Sequence, residues 1–447
     1  MNPSECRDQL SLIVFSLGAK SYHYFLSFNR YVQVLIIFGL SRLFGWALFT
    51  VVGRQQTYSP WGNHSLDYLS FVSIWDAGWY QQIAETGYPT VLPIDAMGKV
   101  AENPWAFYPL YPYTVAGLEK IFGSHYYAIA ATLSLLSGFV AACLLYKLFR
   151  DSLAWVRSRS VVTDPVGSSS SSVEIQQETH SLALWAVAMF AFCPVAPVLQ
   201  VPYAEAYNLI FLVGALLLLM NRHYGWAVVV SLGASLSRPV GVPLGATAGL
   251  YWLVLCVQDV ARRRRTGQTM GTACFAGVRA YAGQLVSALA ICATALMWPL
   301  VAWLATGKID AYTATETAWR GTDLYLVAPW IKQSVVYFGW AGPVIFVGLV
   351  LEFFWILTGA RARAVLHPVL VIWCMSYGTY LVLFLNPQSS LFRMLLPLFP
   401  LALWLVSLST SRAYRMVLVG GGAILQFGWV GWLWHWKELP QGGDYPP

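Results

Sequence analysis

The sequence predicts an all-α, polytopic membrane protein of about eleven spanning helices with a large helical loop after the first. Three observations carry this prediction. Of the 447 residues, 57% are hydrophobic and 11% charged, with a mean hydropathy of +0.57. A soluble domain carries about 25% charged residues, so too little charge remains here to cover a water-facing surface. Apolar stretches of spanning length also recur along the whole chain, and the basic residues fall between alternate pairs of them. Aromatic residues make up 15%, with 21 Trp, as suits rings placed in the headgroup layer.

Stretches near the roughly 17–25 residues needed to cross lie near 31–53, 125–149, 181–200, 206–221, 224–241, 243–258, 281–306, 333–358, 364–385, 391–410 and 415–436. The pair around 224–258 is the weakest, because Arg238-Pro239 separates two short segments. No soluble domain can be cut out, so 1–447 is expected to be a single membrane domain. Met1 to Arg30 is mixed in character, and no cleavable signal is expected there.

An N-terminus in the cytoplasm puts most of the 27 Lys and Arg on one side, among them Lys147, Arg150, Arg157, Arg262 to Arg265, Arg361 and Arg412. This is the positive-inside pattern. Arg262 to Arg265 therefore reads as a stop-transfer anchor. The net charge of +7 does not point to nucleic acid, because no continuous basic patch with stacking aromatics exists. The seven Cys show no CxxC or Cys/His pairing, which argues against a disulfide framework or zinc site. The segment 151–180, with serines at 168–172, reads as a cytoplasmic linker.

Two loops then lie outside the cytoplasm, 54–124 and 307–331. Both are longer than a minimal turn, and long loops on a rigid scaffold tend to carry function. Within the first, Ser73 suits an N-cap, Gly87 the left-handed position after a last turn, and Pro89 a stop. Helical spacing places Asp76, Trp79, Tyr80 and Ile83 on one face. An acid beside two aromatic rings suits a sugar, whose C–H faces stack while its hydroxyls bond the carboxylate. The competing reading is a capping box of Ser73 and Asp76, and spacing alone slightly favours it. The run Trp105 to Pro112, with Tyr108 in its middle, reads by itself as an interfacial belt.

These residues resemble the PIG-V family of mannosyltransferases. Arg42, Trp75-Asp76, Tyr80, Ile83-Ala84, Gly87-Tyr88 and Ala106 to Pro112 look like its first-loop signature. Pro202-Tyr203-Ala204-Glu205-Ala206 looks like its second motif, Ser237-Arg238-Pro239-Val240-Gly241 like its third, and Phe392 to Pro397 is a weaker echo. The resemblance covers about 40–400 in order; each motif alone is weak, but four in sequence are specific. It implies a GT-C-like bundle, a dolichyl- or polyprenyl-phosphate mannose donor, and transfer to a lipid-linked glycan on the non-cytoplasmic face. Ala204 stands where the family usually has Ser, and Ala77-Gly78-Trp79 look closer to bacterial members. The resemblance then implies a bacterial plasma membrane and a cell-envelope acceptor, or the endoplasmic reticulum if the chain is eukaryotic. Room is left for a small membrane subunit.

On this basis Asp76 is expected as the general base of an inverting transfer. Trp75, Trp79, Tyr80, Tyr108, Glu205, Arg238 and Arg393 are expected to bind substrate. Arg238 beside a spanning segment marks a site or snorkels to the interface; the motif match favours phosphate contact. For Arg393 these two readings balance, and Arg42 is either a ligand or half of an internal ion pair. Glu205 is either a helix-start acid or an acceptor-binding group. His64 reads as incidental. No Asp-x-Asp or His cluster asks for a metal, and no cofactor is expected. The alternative class is a transporter or flippase using Arg42, Arg238 and Glu205 as a path; no internal repeat supports it.

Overall fold

The computed structural model describes residues 27–163, 172–321, 325–438 and 447. Regular structure among them is helical. Extended pairing is limited there to isolated bridges, Ser59 with Gly62 and Ile94 with Val100. Six described helical segments are long and apolar enough to cross a membrane: Arg30–Gly53, Tyr126–Arg159, Gly241–Arg265, Ala282–Thr306, Ala328–Thr358 and Arg412–Trp434. Shorter apolar helices run over Glu205–Met220, Tyr224–Ser235 and Pro368–Phe384. The chain is therefore a helical membrane protein; six of the described helical segments have full spanning length, where hydropathy marks eleven apolar stretches.

The shortfall has local causes. Helix α1 (Arg30–Gly53) is followed by the short α2 (Tyr68–Val72), α3 (Ala77–Thr86) and α4 (Leu110–Phe122), all within the first loop. Helices α5 (Tyr126–Thr163) and α6 (Ser172–Ala191) come next. The stretch expected to span 181–200 stops as an α-helix at Ala191 and resumes as a 3-10 turn over Ala196–Gln200, with Pro194 and Pro197 at the break. Helix α7 (Ala204–Met220) and the twelve-residue α8 (Tyr224–Ser235) form a hairpin. α8 ends before Arg238-Pro239 because the residue ahead of a proline disfavours helix. Helices α9 (Gly241–Arg265), α10 (Met270–Ala280) and α11 (Ala282–Thr306) lead to α12 (Ala311–Arg320) in the second loop. Then come α13 (Ala328–Phe338), α14 (Gly342–Thr358), α15 (Ala360–Val365) and α16 (Pro368–Phe384). The stretch 391–410 is broken into α17 (Leu391–Met394), a 3-10 turn and α18 (Pro400–Ser407), with prolines at 397 and 400. Helix α19 (Arg412–Gly428) continues as a π-turn through Trp434.

The core runs along α5, α6, α7 and α16 and extends beneath the first loop. α9 and α11 approach closely enough that a Cβ on Gly245 would stand 2.8 Å from Cys292 Sγ and 3.0 Å from its Cα. Small residues at such crossings let backbones close in when lipid gives no hydrophobic drive. The segment expected as a linker, 151–180, is helical in its described parts. α5 and α6 extend beyond the bundle and are clasped by Arg157, which pairs with Glu178 at 2.7 Å and bonds Ile175 O at 2.6 Å. Of the serines at 168–172, only Ser172 lies among the described residues.

Among the described residues Arg42 pairs with no carboxylate, and it does not line the cavity that holds Asp76. Its guanidinium donates to the carbonyls of Ala191, at 2.9 Å, and Ala196. It thereby satisfies carbonyls left over at the end of α6, with its charge at the negative end of that helix.

Candidate active site

Asp76 sits at the start of α3, but the local chemistry differs from a capping box. Ser73 closes α2 instead of opening α3, and its hydroxyl donates to Leu69 O at 2.7 Å. Asp76 holds the N-cap position, yet its carboxylate makes no capping bond. Between them the chain reverses through Trp75, which has φ of 63°. A non-glycine residue there stores strain of about 1–3 kcal/mol, held by its surroundings. The Trp75 indole donates to Trp434 O at 2.8 Å, and its ring packs against Trp61 at 5.0 Å. The Asp76 backbone N–H donates to the Tyr203 hydroxyl at 2.9 Å. Gly87 closes α3 with φ of 72° and ψ of −151°, which only glycine adopts freely.

Freed from capping, the Asp76 carboxylate pairs with Arg393 at 2.5 Å. Arg393 Nη1 also lies 3.4 Å from Glu205 Oε1, which takes a second guanidinium, that of Arg238, at 2.8 Å. Two acids and two arginines from four separate segments thus form one chain of charge. Their side-chain exposures divide the roles: Glu205 is sealed at 4%, whereas Asp76 keeps 15%. The network is incompletely satisfied. Arg393 Nε and Glu205 Oε2 are buried without a hydrogen-bond partner, and Arg238 spends Nη2 on the Met394 sulfur at 3.1 Å. A thioether is a weak acceptor, so both guanidinium groups retain donor capacity.

Neighbouring bonds hold this cluster in place. Asn208 of α7 donates to Ser237 Oγ at 2.8 Å and Ala234 O at 2.9 Å, fixing the segment that carries Arg238. Tyr377 donates to Met394 O at 2.7 Å, fixing the segment that carries Arg393. Leu110 N–H donates to Leu236 O at 3.0 Å, tying the first loop to the end of α8.

Asp76, Arg238 and Arg393 open onto a cavity of about 240 Å³, which Tyr80, Phe107, Tyr108, Trp319, Tyr377 and Tyr380 also line. Glu205 borders a void of about 20 Å³ behind it, shared with Arg238 and Arg393. Tyr80 is buried, and burial raises its pKa, so its hydroxyl stays a proton donor through the neutral range. Tyr108 shares a 2.8 Å hydrogen bond with Tyr312. The structure therefore brings Asp76, Tyr80, Tyr108, Arg238 and Arg393 to one cavity, with Glu205 directly behind. It leaves Trp75 and Trp79 outside. Trp75 anchors the turn, and Trp79 stacks on Phe107 at 5.9 Å and meets Trp319 at 5.1 Å, buttressing the wall from behind.

The far wall belongs to residues that the sequence reading did not single out. Glu316, Trp319 and Arg320 of α12 line it. Glu316 is half-buried, and burial raises its carboxyl pKa against the opposing pull of Arg320 and Tyr312. The signal that would have found it is the spacing of four between Tyr312, Glu316 and Arg320 within a loop too long for a turn.

Fold and site together define a helical membrane protein with a charged, aromatic-walled cavity between its loops and its bundle. The chain matches no protein-family model and no curated protein.

Proposed function

We propose that the chain is a PIG-V-type glycosyltransferase that moves mannose from a polyprenyl- or dolichyl-phosphate donor to a lipid-linked glycan, with inversion. One observation carries the reading. Charged residues from all four motif segments join in one network, in which Asp76, Arg238 and Arg393 face a single cavity and Glu205 backs them. The same reading counts about eleven passes, with broken or short helices completing the set, the N-terminus in the cytoplasm, and the bacterial plasma membrane as the site.

The geometry suits the reaction. Arg238 and Arg393 carry spare N–H donors beside the cavity, the arrangement that stabilises charge on a departing phosphate. Tyr80, Phe107 and Tyr108 wall the space for a sugar ring. The acceptor oxygen attacks C1 of the mannose as the bond from C1 to the phosphate oxygen breaks. The electron pair leaves with the lipid phosphate, and the acceptor proton passes to the Asp76 carboxylate. The volume of about 240 Å³ lies below the roughly 300–1,000 Å³ of sites that enclose drug-sized ligands. It fits a sugar and phosphate, with the lipid chain outside along the membrane-facing edge.

The test is transfer by the purified chain in vesicles carrying polyprenyl-phosphate mannose and glycolipid acceptors. Asp76→Asn is expected to cut transfer by at least ~10²-fold, the lower worth of a positioned base. It should leave the fold intact, because Arg393 keeps Glu205 as its partner. Retained transfer removes Asp76 from the base role, and an untouched donor with wild-type protein removes the donor assignment.

A further inference from the structure

The cavity has a second charged end that the transfer step leaves unused. Tyr312, Glu316 and Arg320 recur at intervals of four on α12, which sets them on one helix face. Tyr380 of α16 lines the same cavity, within electrostatic reach of Glu316, Arg320 and Arg238. Arg320, one turn further along the same face, is a cation acting on Glu316. The outer end is rigidly mounted. Trp319 donates to Asn103 O at 3.1 Å, Asn103 Nδ2 donates to Thr315 Oγ1 at 2.9 Å, and Asn386 Nδ2 donates to Arg320 O at 3.1 Å.

These bonds anchor α12 to its neighbours through Asn103, Thr315, Trp319 and the Arg320 carbonyl, while Glu316 is engaged by Tyr312 and Arg320 of its own helix. A half-buried acid on a cavity wall carries a desolvation cost, which a hydroxyl-rich ligand would offset. In an inverting displacement the nucleophile enters opposite the leaving group. The lipid phosphate takes the Arg238 and Arg393 wall and the acceptor's reacting hydroxyl reaches Asp76, so the rest of the acceptor headgroup extends along the cavity toward Glu316. We propose that Glu316 is a positioning residue for the acceptor, its carboxylate accepting hydrogen bonds from sugar hydroxyls of a neutral glycan headgroup walled by Tyr108 and Trp319. This rests on the transfer reading above.

The experiment uses the full chain in vesicles with polyprenyl-phosphate mannose, and octyl α-mannoside and octyl β-glucoside as acceptor probes. Two rates are read: acceptor-dependent transfer, and donor hydrolysis without acceptor. Glu316→Gln and Glu316→Ala are expected to raise the acceptor KM about tenfold or more, the scale of a lost charged hydrogen bond. Both should leave kcat and donor hydrolysis close to wild type, and intact hydrolysis also reports a folded inner end. An unchanged acceptor KM overturns the assignment, as does a parallel fall in hydrolysis, which would put Glu316 on the donor side. A wild type that hydrolyses donor but glycosylates neither octyl sugar overturns the sugar-binding role. A wild type that consumes no donor overturns the transfer reading itself, and this assignment with it.

Discussion

Arg393 holds two carboxylates with one guanidinium, and its removal therefore tests the cluster directly. Arg393→Met leaves Asp76 and Glu205 buried near each other with Arg238 as the remaining cation. Removing one partner of a buried pair costs about 3–5 kcal/mol, to be read as lowered thermal stability in detergent. Adding Asp76→Asn should recover part of that loss, and full additivity of the two would mean that the residues are not coupled. A gentler test is Trp75→Phe, which deletes the indole donor to Trp434 O. It should cost about 1 kcal/mol in stability while lowering transfer more than that cost explains, because the strained turn aims Asp76. Asp76 was legible in the sequence as an acid among aromatics in a large loop. Its partner was not, since Arg393 lies far along the chain and pattern reading sees only local spacing. Ser73 misled for the same reason: cap spacing says nothing of the reversal at Trp75.

At the scale of elements, hydropathy located each apolar segment but not where its helix stops. The stops depend on particular residues, such as the prolines at 194 and 197 and the carbonyls of Ala191 and Ala196 that Arg42 gathers. α9 and α11 offer a test of packing. Gly245→Val would drive branched carbons into Cys292. Overpacking of this kind costs about 1–3 kcal/mol, visible as a lower melting temperature with the site chemistry untouched. Pairing it with Cys292→Ala should restore only the share due to the sulfur, because the Cys292 Cα, 3.0 Å from the added Cβ, stays in place; full restoration would show that the backbones do not resist. α12 was the element least legible, because its short amphipathic pattern looks like any solvated loop helix.

Across the whole molecule, the two ends differ in kind. Helix α9 leaves the cavity at Val240 and ends in Arg262 to Arg265, so the cavity and that basic run lie at opposite ends of one helix. Cysteine introduced at exposed Glu85 or exposed Gln268 should therefore react with a membrane-impermeant thiol reagent from opposite faces of sealed vesicles. Labelling of both from one face would sink the topology. The helical class was legible because composition acts over the entire chain. Convergence of the segments that carry Asp76, Glu205, Arg238 and Arg393 was not, because it depends on how the helices pack. One phenolic oxygen enforces that convergence: the Tyr203 hydroxyl, at 2.9 Å from the Asp76 nitrogen and 3.3 Å from Ile74 O. Its grip divides the first loop into lengths that tolerate insertion and one that does not. Extra residues in exposed stretches such as Ser65, Met97 or Gly98 only enlarge the surface. A single residue added between Asp76 and Tyr80 would turn the carboxylate about 100° from its aromatic neighbours, and no compensating movement is available while Tyr203 holds the turn.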